Sequence, residues 1–330
     1  MKEKKYIFSG IQPSGAIHLG NYFGAIRQWV ELQKTYTGIF SIVDYHAITV
    51  NYDPHKLQRR ILEAAADYLA AGIDPKKSMI FVQSDVPEHV ELAWLFNTIL
   101  PVSELRRMTQ YKEKSGRQQS ASAGLLNYPI LMAADILLYK AIGVPVGEDQ
   151  IQHVELTRTI ARNFNRKFGK VFVEPSVILS RGSRIMSLAD PLKKMSKSLG
   201  EKHYVALSDS PSVMRKKFMS AVTDTGVTMY EKKKSPGVYN LFELLELMTD
   251  AQTVARFEKK YQTGNLSYKE LKETLGNAAV DMFASFQEKR TKLLSDEKKL
   301  RKILADGASR ARKIAQKTLQ EAKQKMGIAK

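Results

Sequence analysis

Short apolar runs alternate with helical patterns through the first hundred residues, and this alternation most narrows the folds open to the chain. Residues 6–8, 38–43 and 79–82 are apolar runs of strand length, and residues 22–33 carry apolar side chains at helical spacing. Strands that alternate with helices build a mostly parallel sheet covered by helices. The sequence therefore predicts an α/β fold with a parallel sheet.

Helix boundaries in this part carry recognisable signals. Asp53 followed by Pro54 predicts an N-cap with proline at the first helical position, and Gly72 is expected to end that helix. The pair Asp85 and Glu88 predicts a capping box for a helix over residues 85–101.

The pattern changes twice farther along. The middle of the chain predicts a charged segment over 103–114, a polar loop over 115–124, a helix over 128–142, an extended stretch over 144–146, a helix over 151–165 and a further strand over 171–173. After about residue 200 only helical periodicity remains, with helices expected over 211–221, 241–248, 254–261, 268–294 and 296–326.

A glycine-bearing loop joins the first strand to the helix that follows it. This loop contains His18, Gly20 and Asn21. Both polar side chains can donate to phosphate oxygens, and glycine lets a ligand approach the backbone closely. Because a helix start presents N–H groups and the positive end of its dipole, the loop predicts an anion site.

Charge and cysteine content limit the partners and the compartment. A net charge of +18 favours a polyanionic partner, most simply nucleic acid, and residues 298–330 hold eleven Lys and Arg against two acidic residues. The lack of cysteine excludes disulfides, Cys-ligated zinc and thiol nucleophiles. No signal-peptide core or membrane-length apolar run is present, so we expect a cytoplasmic protein without a membrane partner.

A second motif lies far downstream of the glycine loop. Lys194-Met195-Ser196-Lys197-Ser198, paired with the earlier His-Leu-Gly-Asn, resembles the two nucleotide motifs of class I aminoacyl-tRNA synthetases. Stretches at 8–15, 43–49, 131–137, 145–150 and 221–224 resemble the bacterial tryptophanyl branch of that family. Asn21 stands where the first motif usually ends in His, as in that branch.

The resemblance implies an organisation and a reaction. It implies a Rossmann-like catalytic domain over 1–200, with an inserted segment at about 85–142, and a helical anticodon-binding domain over 201–330. A return of the last helix to the catalytic domain is left open. The implied enzyme activates L-tryptophan with ATP and transfers it to tRNA(Trp), as a homodimer in which the charged helix near 104–114 lies at the subunit interface or against the acceptor stem.

Three other functions stay open from the sequence. A tyrosine–tRNA ligase shares both motifs and also binds its substrate through a carboxylate. A nucleotidyltransferase acting on a small metabolite shares the first motif, and a non-catalytic paralogue could bind RNA. Pyrophosphate exchange with each amino acid separates them.

The resemblance assigns the nucleotide site residue by residue. His18, Asn21, Lys194 and Lys197 are implied to be catalytic, because the reaction needs charge neutralised at the phosphates and no side-chain nucleophile. The implied ATP-binding residues are Gln12, Pro13, Ser14, His18, Gly20, Asn21, Gly147, Glu148, Asp149, Ile185, Lys194, Met195, Ser196, Lys197 and Ser198. No metal site is expected, since Mg²⁺ would be held mainly by the phosphates of ATP.

The tryptophan pocket is expected to be an apolar slot with a few polar ends. Asp135, within an apolar helix, is too costly to bury without a partner, and the resemblance supplies the indole N–H. The alternative is an acid paired with a nearby Arg or Lys. The implied pocket residues are Phe8, Gln12, His46, Tyr128, Met132, Asp135, Val144, Val146 and Gln150.

Overall fold

A computed structural model describes residues 5–109, 111, 122–179, 184–223 and 234–328. Five strands form one parallel sheet in the order β3-β2-β1-β4-β5. They are β1 (Tyr6–Ile11), β2 (Thr37–Ile42), β3 (Met79–Val82), β4 (Gly143–Val146) and β5 (Ser176–Leu179). The predicted parallel α/β fold is confirmed.

The helices are bounded as follows. Those before residue 170 are α1 (Leu19–Asn21), a π-helical turn (Tyr22–Ile26), α2 (Arg27–Leu32), α3 (Asp44–Ala47), α4 (Pro54–Ala70), α5 (Glu88–Asn97), α6 (Val102–Arg106), α7 (Ala123–Leu137) and α8 (Ile151–Phe168). The later ones are α9 (Pro211–Met219), α10 (Pro236–Met248), α11 (Ala251–Gln262), α12 (Tyr268–Ser295) and α13 (Glu297–Lys325). The helical character expected after residue 200 is confirmed for the described residues.

The chain divides into two compact units. The first consists of Met1–Gly15, Trp29–Ser180 and Leu293–Lys330, and it contains the whole sheet. The second consists of Ala16–Gln28 and Arg181–Lys292. The assignment of catalytic and anticodon-binding roles to particular domains stays a prediction.

Strand order places a binding edge in the first unit. β1 lies between β2 and β4, so the order of connections reverses at β1. In open parallel sheets, ligands bind outside the carboxyl ends of the strands at such a reversal. Gln12 follows β1 and Gly147 follows β4, so two of the expected site residues lie at this edge.

Local signals set the boundaries of α4. The side chain of Asp53 accepts a hydrogen bond from the backbone N–H of His55 at 3.0 Å, and Pro54 takes the first helical position. Gly72 has a φ of +109°, a conformation that side chains with a Cβ disfavour, so the chain leaves the helix there.

Several predicted boundaries are wrong. Residues 171–173 form no strand, and β5 lies a few residues later. The helix expected from residue 85 begins only at Glu88, without a side-chain cap, because Gln83–Asp85 form a 3-10 turn and Pro87 occupies the N-cap. Helix α7 runs over 123–137 rather than 128–142, because the side chain of Ser122 caps it early. Most of the polar loop predicted over 115–124 lies outside the described residues.

The last helix returns to the first unit. In α13, Arg310 donates from Nη2 to the carbonyl oxygens of Pro75 and Ser78, both at 2.7 Å. Gly307 faces the backbone of β3, where a Cβ would overlap the carbonyl oxygen of Ile80 and lie 2.8 Å from its carbonyl carbon. A glycine at this position therefore lets α13 approach the sheet backbone closely.

Candidate active site

A buried carboxylate lies at the centre of the first unit. Asp135 is on α7, in register with Tyr128 and Met132 on one helical face, and it is 1% exposed. The alternative considered for Asp135 was an acid paired with a nearby Arg or Lys. Its partners among the described residues are instead two histidines and a glutamine.

Three donors converge on Asp135. The Oδ1 atom accepts from Gln83 Nε2 at 2.7 Å and from His89 Nδ1 at 2.6 Å, and Oδ2 accepts from His46 Nε2 at 2.8 Å. A carboxylate offers about four acceptor positions, two on each oxygen. Among the described residues, one position on Oδ2 is therefore left for a further donor.

The cluster keeps Asp135 ionised. Burial raises the pKa of its carboxyl, but the hydrogen bonds from His46 and His89 outweigh burial and hold that pKa well below its usual range. The result is a negative charge, shielded from water, that can recognise an N–H group.

The apolar and aromatic residues predicted for the pocket lie on β1, β4 and α7. Phe8 and Val144 are buried in the core that includes α7, and Met132 and Val146 pack against it while partly exposed. The ring of Tyr128 packs edge-on against His46 with centroids 6.2 Å apart. Phe8 stacks on Tyr139, whose hydroxyl contacts His89, and Tyr128 and Met132 share α7 with Asp135. That these residues line the pocket stays a prediction.

Other predicted residues lie at the sheet edge of the same unit. The carbonyl of Gln12 accepts from the backbone N–H of Ser14 at 2.7 Å, so the segment of Gln12, Pro13 and Ser14 turns directly after β1. Gly147 precedes the 3-10 helix Glu148–Gln150, and a Cβ on it would come within 2.8 Å of Asp149 Oδ1.

Around Asp135, sequence reasoning missed Gln83, His89 and Tyr139. Gln83 and His89 are 0% exposed, as is Tyr139, whose hydroxyl lies 2.8 Å from His89 Nε2. A signal was available for Gln83, because it is the first polar residue after the buried strand β3, at the carboxyl edge where ligands bind.

The second unit contains both nucleotide motifs. His18 caps α1, where its Nδ1 accepts from the backbone N–H of Asn21 at 3.3 Å, while the Asn21 Oδ1 accepts from the backbone N–H of His18. Because Nδ1 accepts, the neutral ring carries its proton on Nε2 and can donate there. A Cβ on Gly20 would lie 3.1 Å from the His18 ring, so glycine at this position lets the ring pack closely against the backbone.

The charge state of His18 follows from its surroundings. Burial first, and then the positive charges of Lys197 and Lys194, lower the pKa of His18 to about 3. The ring is therefore neutral at neutral pH. Its role near an anion is that of a hydrogen-bond donor rather than a cation.

We call residues 185–198 the lysine hairpin. Met195 donates its N–H to the carbonyl of Ile185 at 3.0 Å, and Ser187 donates to the carbonyl of Lys193 at 2.8 Å. Ile185 and Met195 are buried at 2% exposure, which holds the hairpin to the rest of the unit. Ile185 was expected to contact adenine through its backbone, and its carbonyl already accepts a hydrogen bond here.

The tip of the lysine hairpin is a short turn. Ser196 caps the 3-10 helix Lys197–Leu199, and its hydroxyl lies 2.9 Å from that of Ser198. Lys197 Nζ donates to the carbonyl of Ala16 at 3.1 Å, next to the loop that contains His18. Lys194 and His18 interact electrostatically, so the second unit brings the four predicted catalytic residues together.

An asparagine on α10 holds the hairpin in place. Asn240 is 3% exposed, and its side-chain amide makes two hydrogen bonds to the backbone of Met186. Its Oδ1 accepts from the Met186 N–H and its Nδ2 donates to the Met186 carbonyl, both at 3.0 Å. Sequence reasoning missed Asn240, because nothing local distinguishes it within an ordinary amphipathic helix.

Comparisons with known proteins identify the family. The model of the family "tRNA synthetases class I (W and Y)" matches residues 1–284. This chain belongs to that family. The expectation drawn from the two nucleotide motifs is thereby confirmed, and the family is one of enzymes.

Individual relatives agree over the full length. The chain is 47% identical over 329 residues to the tryptophan–tRNA ligase of Oceanobacillus iheyensis and 46% identical over 330 residues to that of Bacillus subtilis, with 99% of each chain covered. It resembles the crystal structure of tryptophanyl-tRNA synthetase from Campylobacter jejuni complexed with ADP and tryptophan, with a TM-score of 0.86 and 37% identity, covering 98% of this chain and 99% of that one.

Within the described ranges, no helix combines the length and apolar character that crossing a bilayer requires.

Proposed function

We propose that this chain is a tryptophan–tRNA ligase, which joins L-tryptophan to tRNA(Trp) in two steps. The tryptophan carboxylate attacks the α-phosphorus of ATP, the bond to the β-phosphate oxygen breaks, and pyrophosphate leaves. The ribose hydroxyl at the 3′ end of the tRNA then takes the aminoacyl group and AMP leaves. Relatives at about 46% identity over their full length carry this name.

The observation that carries the substrate assignment is the open acceptor position on Asp135. A buried carboxylate with one unused position needs a donor from its ligand. The indole N–H of tryptophan supplies one, and phenylalanine supplies none. Phe8, Met132 and Val144 supply the apolar walls against which an indole would pack.

The nucleotide chemistry is assigned to the second unit. Lys194 and Lys197 are cations suited to the charge that grows on the phosphates toward the transition state. His18 supplies a neutral Nε2–H donor, and Asn21 retains its amide N–H groups to donate. Mg²⁺ accompanies ATP as a charge shield held by phosphate oxygens.

The test of substrate identity is ATP–pyrophosphate exchange with each amino acid in turn. We expect exchange with tryptophan far above phenylalanine, since sites built on a hydrogen bond reject analogues lacking it by about 10⁴–10⁵. Tyrosine can donate through its hydroxyl, so we expect the shape of the apolar slot to exclude it. Asp135→Ala should reduce this discrimination more than Asp135→Asn, whose amide oxygen can still accept. Preference for tyrosine would overturn the assignment, and unchanged ratios in Asp135→Ala would remove Asp135 from the pocket.

The tRNA partner is proposed from charge. Eleven basic residues lie in 298–330. Arg310 and Arg312 bond within the first unit, as does Lys323, so only part of that charge is available to a ligand. Affinity for tRNA should fall linearly with salt on logarithmic axes, and salt-independent binding would refute the electrostatic proposal.

We further propose a homodimer located in the cytoplasm. Val90 and Trp94 lie one turn apart on α5 and are 46% and 69% exposed, an apolar pair that a second copy could cover. Part of the alternative interface near 104–114 lies outside the described residues. Light scattering should give twice the monomer mass, and Trp94→Asp should give a monomer. A monomeric wild type would reject the proposal.

A further inference from the structure

Two buried groups beside Asp135 have no role in substrate recognition assigned so far. His89 and Tyr139 are both 0% exposed, and together with Asp135 they form one chain of hydrogen bonds. Buried polar groups that touch no substrate need an explanation, because burying them is unfavourable unless every group is satisfied.

The Tyr139 hydroxyl is the first donor in this series of hydrogen bonds, and it decides which atom donates in each of the others. Burial raises the pKa of the Tyr139 hydroxyl well above its usual value, and the negative charges of Asp135 and Glu88 raise it further. The hydroxyl therefore keeps its proton. It lies 2.8 Å from His89 Nε2, which accepts this proton in the neutral ring.

His89 is the next donor in the series, and Asp135 accepts from it. With Nε2 accepting, the ring proton sits on Nδ1, which donates to Asp135 Oδ1 at 2.6 Å. Gln83 Nε2 fills the second position on the same oxygen at 2.7 Å. Since Oδ1 is then saturated, the open acceptor position lies on Oδ2, the oxygen that His46 also contacts.

We propose that His89, oriented by Tyr139, is a positioning residue for substrate recognition, since it holds Asp135 with Oδ2 presented to the indole N–H. This inference rests on the proposed function. It deepens that function by assigning specificity to residues that do not touch the amino acid. Loss of the His89 hydrogen bond frees rotation of the carboxylate about its Cβ–Cγ bond, so neither oxygen is held at the position that faces the indole N–H.

The test uses two substrates that differ at one position. Tryptophan is compared with β-(3-benzothienyl)alanine, in which sulfur replaces the indole N–H, and the readout is the ratio of their kcat/KM values in pyrophosphate exchange. Asp135→Ala sets the ratio expected when the acceptor is absent. In His89→Asn the side-chain amide places an N–H near the former Nδ1. In His89→Gln the longer side chain places its amide only at the position of Nε2.

The expected results distinguish positioning from packing. His89→Gln should lower the ratio about 10-fold or more, the size of a lost charge-assisted hydrogen bond. That loss should appear in the KM for tryptophan, while the KM for ATP stays unchanged. His89→Asn should keep the ratio within about 3-fold of wild type, since its donor to Asp135 is retained. Tyr139→Phe keeps the ring against Phe8, with centroids 5.9 Å apart, and should lower the ratio by a smaller factor.

A spectroscopic measurement on the wild type tests the proposal even if the variants fail to fold. Nitrogen-15 NMR of the wild type should show His89 protonated at Nδ1 and unprotonated at Nε2, and the opposite tautomer would overturn the proposal. Equal losses for both substrates in His89→Gln would also overturn it, since a packing defect acts on both. If Asp135→Ala leaves the ratio unchanged, the proposed role of Asp135 fails as well. If the ratio falls in Asp135→Ala but not in His89→Gln, only the positioning role of His89 is rejected.

Discussion

The contact between Asn240 and the lysine hairpin gives a prediction whose size follows from the structure. Replacing Asn240 by alanine removes both hydrogen bonds to the backbone of Met186. Each such bond contributes about 1 kcal/mol net, and a buried N–H or carbonyl left unpaired costs about 1–3 kcal/mol. The docked hairpin should therefore lose roughly 2–4 kcal/mol relative to an undocked one.

That loss should appear in ATP chemistry rather than in tryptophan binding. A change of 2–4 kcal/mol raises the undocked population by a factor of roughly 30–1,000, since 1.4 kcal/mol corresponds to a factor of ten. Asn240→Ala should therefore raise the KM for ATP and lower kcat in pyrophosphate exchange. Tryptophan affinity, measured by equilibrium binding without ATP, should change little, because Asp135 and its partners lie in the first unit.

A matched control separates this effect from general destabilisation. Asn277 lies in the same unit, is exposed, and makes one side-chain hydrogen bond to Arg215. Asn277→Ala should leave the ATP kinetics unchanged. Hydrogen exchange should show faster exchange of the Ser187 and Met195 amides in Asn240→Ala only. Normal ATP kinetics with a lower melting temperature in Asn240→Ala would refute the reasoning.

Three other predictions follow from contacts already described. Lys194→Ala and Lys197→Ala should each slow adenylate formation by about 10²-fold or more, and an effect confined to tryptophan affinity would contradict this. Gly307→Ala should lower the melting temperature by the equivalent of about 1–3 kcal/mol, although alanine is the better helix former, because its Cβ meets the β3 backbone. In Gly24→Ala the added Cβ meets no atom of the described residues within 4 Å, so this variant serves as the control, and equal melting temperatures of the two variants would contradict the predicted overlap. His18 has a pKa of about 3 in the fold against 6.5 for a free side chain, so the unfolded chain binds a proton that the native one does not. Stability should therefore fall as pH drops from 6.5 toward 3, by up to about 1.4 kcal/mol per pH unit. Urea unfolding of His18→Gln should show a weaker decline over that window, and a slope identical to wild type would exclude His18 as its source.

Local signals made much of the fold predictable. The strand β3 was predicted with its observed bounds, because a short, wholly apolar run leaves little choice of conformation. Asp53 and Pro54 predicted the start of α4, because capping depends on neighbours within one turn. β5 was misplaced, because its residues are only partly buried and their pattern carries little information.

The convergence around Asp135 could not be predicted in full. Gln83 and His89 are separated from Asp135 by 52 and 46 residues. They meet it only because the turn after β3 and helix α5 both pack against α7. His46 was predicted because it belongs to a motif at the end of β2. His89 sits inside a helix with no such motif, and its neighbour Glu88 suggested only a helix start.

The return of α13 to the first unit bears on how the protein is made. β3 leaves the ribosome early, yet the residue that bonds to the backbone at Ser78 is Arg310, 232 positions later. At roughly 5–20 residues per second, translation leaves that face of the sheet uncovered for about 10–50 seconds. Chains that end prematurely never cover it, and their exposed apolar surface marks them for chaperones and proteases. Covering of this face of the sheet therefore depends on translation continuing through α13.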